Sequence, residues 1–338
     1  MKNIEKKEFR IVFMGTPDFA VESLKALVEN GYNVVGVITM PDKPAGRGYK
    51  LKPSPVKQYA LQQGLKVLQP EKLRDEGFLS ELKQLNADLQ VVAAFRMLPE
   101  VVWNMPLRGT FNLHSSLLPR YRGAAPINWA IINGEEETGV TTFFLTHDID
   151  TGAVIFQEAT VINPDDTAGT LHDRLMTMGA ALVLKTVDAI IEDKAPSTPQ
   201  SVLITDEESL KPAPKIFSDD CRINWKGEAG DVYNFIRGLS PYPTAWTELH
   251  SKSTENPLRV KVYGSKIVNQ DPKISNEVEI VSTDLTPGTI LTDNKSYLHV
   301  VVSDGFIAIT DLQLPGKKRL KTVDLLNGYR FDNEARFV

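Results

Sequence analysis

The chain has 338 residues, of which 42% are hydrophobic, 24% charged and 8% aromatic, an ordinary globular make-up long enough for two domains. A net charge of −5 argues against a surface coated in positive potential, and the single Cys221 excludes an internal disulfide and any cysteine-based zinc cluster. The charged start Met1–Glu8 has no apolar h-region and no apolar run spans a bilayer, so neither a signal peptide nor a membrane segment is expected, and the expected location is cytoplasmic.

Phe9–Gly15 (FRIVFMG) is predicted as a buried parallel strand, short, apolar and stopped by glycine. Pro17-Asp18 opens a helix through Asn30, and Asn33–Thr39 (NVVGVIT) is a second strand. A long Pro/Gly/Lys loop runs from Pro41 to Pro55. Leu65–Leu68 is a short third strand, Glu71–Leu85 a helix, Asp88–Phe95 a fourth strand and Gly109–Leu113 a fifth. Strands alternating with helices mean an α/β domain with a mostly parallel sheet covered on both faces.

After Gly139 the pattern changes. Val140–Thr146 and Ala153–Ile162 are β-rich runs joined by a short turn, an expected antiparallel addition to the sheet. Thr167–Glu192 is a long helix. The stretch after it is rich in Pro, Ser and Thr and is read as a linker over residues 194–215, dividing a first domain, 1–193, from a second, 216–338. In the second, a helix at Ala229–Gly238 precedes short strands at Thr244–Leu249, Leu258–Tyr263, Glu277–Val281, Thr289–Leu291, Tyr297–Val302 and Gly305–Leu312. That spacing suggests a small β-barrel of the OB type. No internal repeat occurs.

Gly15-Thr16-Pro17-Asp18 follows the first strand with one glycine and a proline, so the dinucleotide fingerprint is absent. There is no P-loop and no H-E-x-x-H, the five histidines are scattered, and no metal site is expected. The chemistry concentrates between Phe111 and Gly152. His114 lies at the carboxyl end of the fifth strand, where open α/β sheets place ligands. Asn112 stands two residues earlier, on the same face of an extended segment. Asp150 occupies a D-I-D-T-G turn. A lone histidine is more often structural than catalytic, and on the residues alone the two readings stand level.

As a set, these three suit acyl transfer between nitrogens. A histidine titrates near neutral pH and can take and return a proton, help worth roughly 10²–10⁴ in rate. An asparagine NH₂ can meet a developing oxyanion, a contribution of about 3 kcal/mol in comparable sites. An aspartate within reach fixes the histidine tautomer. Ser115 and Ser116 lack a G-x-S-x-G elbow, so a covalent acyl-enzyme is the weaker idea.

Charge is unevenly spread. Between Met40 and Lys57, five cations (Lys43, Arg47, Lys50, Lys52 and Lys57) face Asp42 alone, and Lys317-Lys318-Arg319-Leu320-Lys321 forms a second knot. The first is either a solvated loop with incidental lysines or a contact for nucleic acid, with Arg47 between two flexible glycines.

These pieces resemble one family over essentially the full chain, the methionyl-tRNA formyltransferases. The resemblance rests on F-M-G-T-P-D-F-A at Phe13–Ala20, P-D-K-P-A-G-R-G at Pro41–Gly48 and L-K-P-S-P-V-K at Leu51–Lys57. It continues with N-L-H-S-S-L-L-P-R-Y-R-G-A-A-P at Asn112–Pro126, D-I-D-T-G at Asp148–Gly152 and R-I-N-W at Arg222–Trp225. It implies a Rossmann-like formyltransferase domain followed by an OB-like barrel that binds tRNA. It implies 10-formyltetrahydrofolate as a formyl-donor co-substrate, no tightly bound cofactor, and the amino group of methionyl initiator tRNA as acceptor; a monomer is expected.

By the same resemblance, the catalytic trio is Asn112, His114 and Asp150, and the folate contact is Ser116, Leu117, Leu118 and Pro119. Contacts to tRNA fall to Lys43, Arg47, Lys50 and Lys52 in the loop and to Lys317, Lys318 and Arg319. Two departures stand out. Ser115 replaces the family's usual glycine, and Phe95-Arg96-Met97-Leu98-Pro99 replaces its tyrosine-glycine segment beside the folate pocket. The rival readings are a folate-dependent enzyme formylating a sugar-nucleotide amine or glycinamide ribonucleotide, and a non-catalytic RNA-binding protein.

Overall fold

The computed structural model describes residues 5–45, 50–204, 210–252, 256–268 and 285–338. They divide into two compact units. The first takes the described residues up to Pro126 with Glu137–Val161 and His172–Ala213; the second takes Ile127–Glu136, Ile162–Leu171 and those from Pro214 onward.

The first unit is built on a seven-stranded sheet. Its strands are β1 (Arg10–Gly15), β2 (Asn33–Ile38), β5 (Val67–Leu68), β6 (Leu89–Ala93), β7 (Thr110–His114), β8 (Glu137–Phe144) and β9 (Val154–Val161), in the order β5-β2-β1-β6-β7-β8-β9. Strands β5 to β7 along that order pair in parallel, while β7–β8 and β8–β9 are antiparallel. Strands β1 and β6 are apolar and buried nearly throughout, because a parallel sheet is covered on both faces. The expected parallel sheet with an antiparallel addition is thus borne out.

The helices start where their caps allow. The run expected from Glu71 begins as α3 (Glu76–Gln84), because the Asp75 carboxylate accepts the Phe78 N–H at 2.9 Å and closes the first turn there. The long basic loop contains more order than expected. Its ends pair as a hairpin, β3 (Lys43–Ala45) with β4 (Lys50–Lys52), and Ser54 then caps α2 (Pro55–Gln62), accepting from Lys57 N–H at 3.1 Å with Pro55 in the first turn. Helices α1 (Asp18–Glu29), α4 (Glu100–Trp103) and α6 (Ala168–Ile191) are the others that bear on this unit, and α5 (Pro126–Ile132) follows the loop after β7.

In the second unit an antiparallel sheet runs β12-β13-β14-β11-β10-β16, from β10 (Ala245–His250), β11 (Leu258–Val268), β12 (Ile290–Thr292), β13 (Leu298–Val301), β14 (Phe306–Gln313) and β16 (Arg336–Phe337). The short β15 (Leu320–Lys321) also pairs with β14. A bridge between Thr289 and Arg336 joins the two ends of that order, so the sheet is nearly closed into a barrel. Its interior holds Trp225 of the R-I-N-W motif, stacked on Phe337 at 5.7 Å and donating its indole N–H to Thr247. Helices α7 (Ala229–Leu239) and α8 (Thr322–Leu326) complete the unit. The strand expected at 277–281 lies outside the described residues.

The second basic knot is anchored from inside this sheet. Asp311 of β14 is buried and accepts two hydrogen bonds from Arg319, both 2.7 Å, and one from Lys321 at 3.0 Å. Burial alone would raise the Asp311 carboxyl, but these cations outweigh it and hold it below its ordinary 3.8. A lowered folded value means stability present in full above 3.8 and lost as the pH falls through the folded value. Asp311→Asn is therefore expected to cost roughly 1 kcal/mol at neutral pH, modest because Arg319 and Lys321 remain partly solvated. The gap from wild type, measured by thermal melts in steps from pH 7 to 3, should close at the acid end. A gap that stays constant would show that the ion pair is not its source.

Candidate active site

Strand β7 sits where the sheet changes sense, parallel to β6 on one side and antiparallel to β8 on the other. It ends at His114, a residue only 6% exposed, with its ring edge-on to Phe143. His114 Nε2 is 2.9 Å from the Tyr121 carbonyl oxygen. A carbonyl can only accept, so Nε2 carries the proton, and in the neutral ring Nδ1 holds the lone pair. Nδ1 lies 3.9 Å from Asp150 Oδ2, beyond hydrogen-bonding distance but close enough for strong attraction once the ring is protonated. The tautomer expected to be fixed by Asp150 is therefore fixed by the Tyr121 main chain. The sequence carried no signal for this, since any residue supplies a carbonyl.

Asn112 shares the His114 face of β7, its Cα about 6–7 Å away along an extended strand. It is partly exposed, and among the described residues its carboxamide has no hydrogen-bond partner. A half-buried amide without a partner is unusual, and it leaves its NH₂ free for a ligand.

Asp150 is held rather than loose. Its Oδ2 accepts the Gly123 N–H at 3.0 Å, and the turn around it is closed by Thr151 Oγ1 donating to the Asp148 carbonyl at 3.1 Å. Two glycines allow the close approaches this needs. A Cβ on Gly152 would lie 1.6 Å from the Phe144 carbonyl oxygen, and one on Gly123 would lie 2.4 Å from that of Ala213. Asp150 itself has φ +54°, and Tyr121 and Ala94 have φ +59° and +46°. Left-handed backbone costs a side-chain-bearing residue about 1–2 kcal/mol. Three such residues follow β6, follow β7 and lie between β8 and β9, and strain of this kind concentrates at functional sites.

The four residues expected to touch folate line up differently. Ser116 is fully buried, its hydroxyl donating to the Arg120 carbonyl at 2.7 Å, and Leu118 packs with Phe143 and Val154. Leu118 N–H donates to Thr141 Oγ1, and its carbonyl accepts from Gln157 at 2.8 Å. Pro119 is buried, and Leu117 alone of the four is partly exposed. The segment shapes the wall beside His114, with Leu117 the side chain left to meet a ligand. In the departing segment, Arg96 donates to the Pro70 and Glu71 carbonyls, while Met97 is 72% exposed.

The basic residues differ in their surroundings. Lys43 and Lys52 are exposed and directly opposite each other in the β3–β4 hairpin, beside a cavity of about 620 Å³ also lined by Asp18, Gln58 and Tyr59, and by none of the His114 group. Lys317 and Lys318 are exposed and pair with no acid among the described residues. Arg319 is already engaged, paired with Asp311 and lying 4.5 Å over the Tyr263 ring. Lys50 belongs to β4, and Arg47 lies outside the described residues. Among the described residues no His, Cys, Asp or Glu cluster has the make-up of a metal centre, and no helix is long and apolar enough to cross a membrane.

Comparison with known proteins defines the class first. The family model described as "Formyl transferase" matches residues 9–187, and that described as "Formyl transferase, C-terminal domain" matches 215–330. Among solved structures, an N-formyltransferase from Helicobacter canadensis, in complex with folinic acid and dTDP-3-aminofucose, shares the fold. Its TM-score is 0.62 at 22% identity, covering 92% of this chain and 100% of that one. The methionyl-tRNA formyltransferase of Bacteroides thetaiotaomicron is 57% identical over 98% of both chains. That of Parabacteroides distasonis is 58% identical over 97% of this chain and 98% of its own. The chain belongs to the methionyl-tRNA formyltransferase family, and the resemblance read from the residues is borne out for family and fold.

Proposed function

We propose that the chain transfers the formyl group of 10-formyltetrahydrofolate to the α-amino group of methionyl initiator tRNA, with His114 as proton carrier, Asn112 as oxyanion donor and Asp150 as the carboxylate that steadies the charged imidazole. The full-length likeness to relatives of that name supports the substrates. The contact that carries the mechanism is the 2.9 Å bond from His114 Nε2 to the Tyr121 carbonyl, because it leaves Nδ1 as the basic nitrogen.

The amine attacks the formyl carbon, a C–N bond forms and the carbonyl oxygen becomes an oxyanion. The carboxamide of Asn112, unpartnered among the described residues, donates to that oxygen. The proton leaving the amine passes to His114 Nδ1, and the Asp150 carboxylate lies 3.9 Å from that nitrogen, facing the positive charge so formed. When the intermediate collapses, the bond to folate N10 breaks and the imidazolium returns the proton to that nitrogen. Formylated aminoacyl-tRNA and tetrahydrofolate leave, and no covalent enzyme intermediate arises.

The deciding assay offers the purified protein labelled donor together with charged initiator tRNA, glycinamide ribonucleotide or an amino-sugar nucleotide. Transfer to the tRNA at least about 100-fold faster than to either small amine is expected, since neither competing acceptor has the extended phosphate backbone that several separate basic residues would meet. Faster turnover of a small amine would overturn the acceptor assignment, and RNA binding without turnover would make the chain a binding protein. Within this reading Lys43, Lys50, Lys52, Lys317 and Lys318 meet the tRNA backbone, while Arg319 serves mainly to hold its own loop. Arg47→Ala should raise KM for tRNA about tenfold and leave donor binding unchanged. Equal loss of both would remove Arg47 from the tRNA contact.

A further inference from the structure

Gln200 lies fifty residues beyond Asp150, in the Pro/Ser/Thr-rich stretch read as a linker, yet it is only 3% exposed. Its amide is fully employed. Nε2 donates to the Asp150 carbonyl at 2.8 Å and to the Gly152 carbonyl at 2.9 Å, while Oε1 accepts from Arg122 Nε at 3.1 Å and Nη2 at 2.7 Å. Two donors meet two carbonyls and one oxygen meets two guanidinium N–H groups, a set that the glutamine side chain alone can satisfy at this length.

From this geometry we propose that Gln200 is a positioning residue for the formyl transfer, holding the Asp150 carboxylate at its working distance from His114. The inference rests on the mechanism proposed above. Two loops flank His114: one carries Tyr121 and Gly123, the other Asp150. Gln200 ties them together, gripping Asp150 and Gly152 with its nitrogen and Arg122 with its oxygen. The only other side-chain link between these loops among the described residues is the 3.0 Å bond from Gly123 N–H to Asp150 Oδ2. Asp150 sits at φ +54°, a conformation that surrounding contacts must impose, and the grip on its carbonyl is one of those contacts, beside the Gly123 N–H and the Thr151 hydroxyl.

The stretch that bears Gln200 is anchored without its side chain. Thr198 exchanges two main-chain hydrogen bonds with Val154, at 2.8 and 2.9 Å; the Lys211 carbonyl accepts from Tyr121 N–H, and Ala213 N–H donates to the Arg122 carbonyl. Removing the amide therefore need not detach the chain. It leaves two carbonyls and a guanidinium without their partner, and the Asp150 turn free to shift. A displacement near 1 Å at a catalytic carboxylate costs up to about 10²-fold in turnover.

The test measures kcat and both KM values for Gln200→Leu, Gln200→Glu, Asp150→Asn and the Gln200→Leu/Asp150→Asn double variant. Glutamate keeps the acceptor for Arg122 and the side-chain shape, but sets a charged oxygen against the two carbonyls in place of the donor. Both Gln200 variants are expected to lower kcat by about 10- to 100-fold with each KM within about twofold, and the leucine change should cost less than about twofold more in the Asp150→Asn background. A merely structural residue would add its full loss in either background, and that result overturns the proposal. Should Gln200→Leu fail to fold, Gln200→Glu decides by the same kcat criterion, and wild-type turnover there overturns it. A slow Asp150→Asn beside fully active Gln200 variants sinks this inference alone. Full turnover by Asp150→Asn sinks the mechanism above and this inference with it.

Discussion

Replacing His114 with alanine is expected to lower single-turnover formyl transfer by about 10³-fold while tRNA affinity stays within about twofold. The substitution removes the nitrogen that takes the proton from the attacking amine, and among the described residues no titratable side chain other than Asp150 pairs with the imidazole. Because the ring is buried, alanine also leaves a cavity that costs about 2–3 kcal/mol of stability. His114→Asn separates the two effects. Its amide can still donate toward the Tyr121 carbonyl and fill part of the space, but it has no base. Equal loss of rate in both variants, with a melting temperature near wild type in the asparagine variant, assigns the loss to chemistry. A rate within about threefold of wild type in either would return His114 to a structural role.

The second large effect is expected at Gly152. A methyl group there would lie 1.6 Å from the Phe144 carbonyl oxygen and 2.8 Å from its carbon, so main chain must move rather than a side chain. That carbonyl belongs to the last residue of β8, where Phe144 N–H donates to the Ala153 carbonyl at 3.0 Å. Gly152→Ala therefore opens the start of the β8–β9 pair and pushes on the Asp150 turn at once. The expected outcome is a loss above about 4 kcal/mol, in the range reserved for mutations that break a specific feature. Soluble yield and a thermal melt read the first consequence, and any folded fraction should turn over at least about 100-fold more slowly, as for a displaced catalytic group. A soluble variant of normal stability and rate would mean that the turn relaxes freely, and that Asp150 is not held by it.

Much of the site is legible in the amino-acid sequence. The pairing of Asn112 with His114 follows from two-residue periodicity on a strand, and the turn character of D-I-D-T-G follows from its residue types. Long-range partners were hidden. Gln200 stands among prolines, serines and threonines with nothing to mark it, because a buried amide has no periodicity and its meaning lies in four atoms from other loops. Arg319 shows the opposite failure. In the sequence it is one of a run of cations, and only the buried Asp311 eight residues earlier reveals that its charge is taken. The basic loop likewise read as irregular because Pro, Gly and Lys disfavour strands, although its ends pair as β3 and β4.

The order of the main sheet strands and of helices α1, α3 and α6, the change from parallel to antiparallel pairing after Gly139, and the family itself were written in the amino-acid order. Apolar periodicity and glycine or proline punctuation act over a few residues and can be read locally. Which nitrogen of His114 holds the proton, what restrains Asp150 and which cations remain unpaired were decided by the folded chain. Those properties depend on distances of 2.7 to 3.9 Å between residues up to fifty positions apart, and such distances exist only once the chain has closed upon itself.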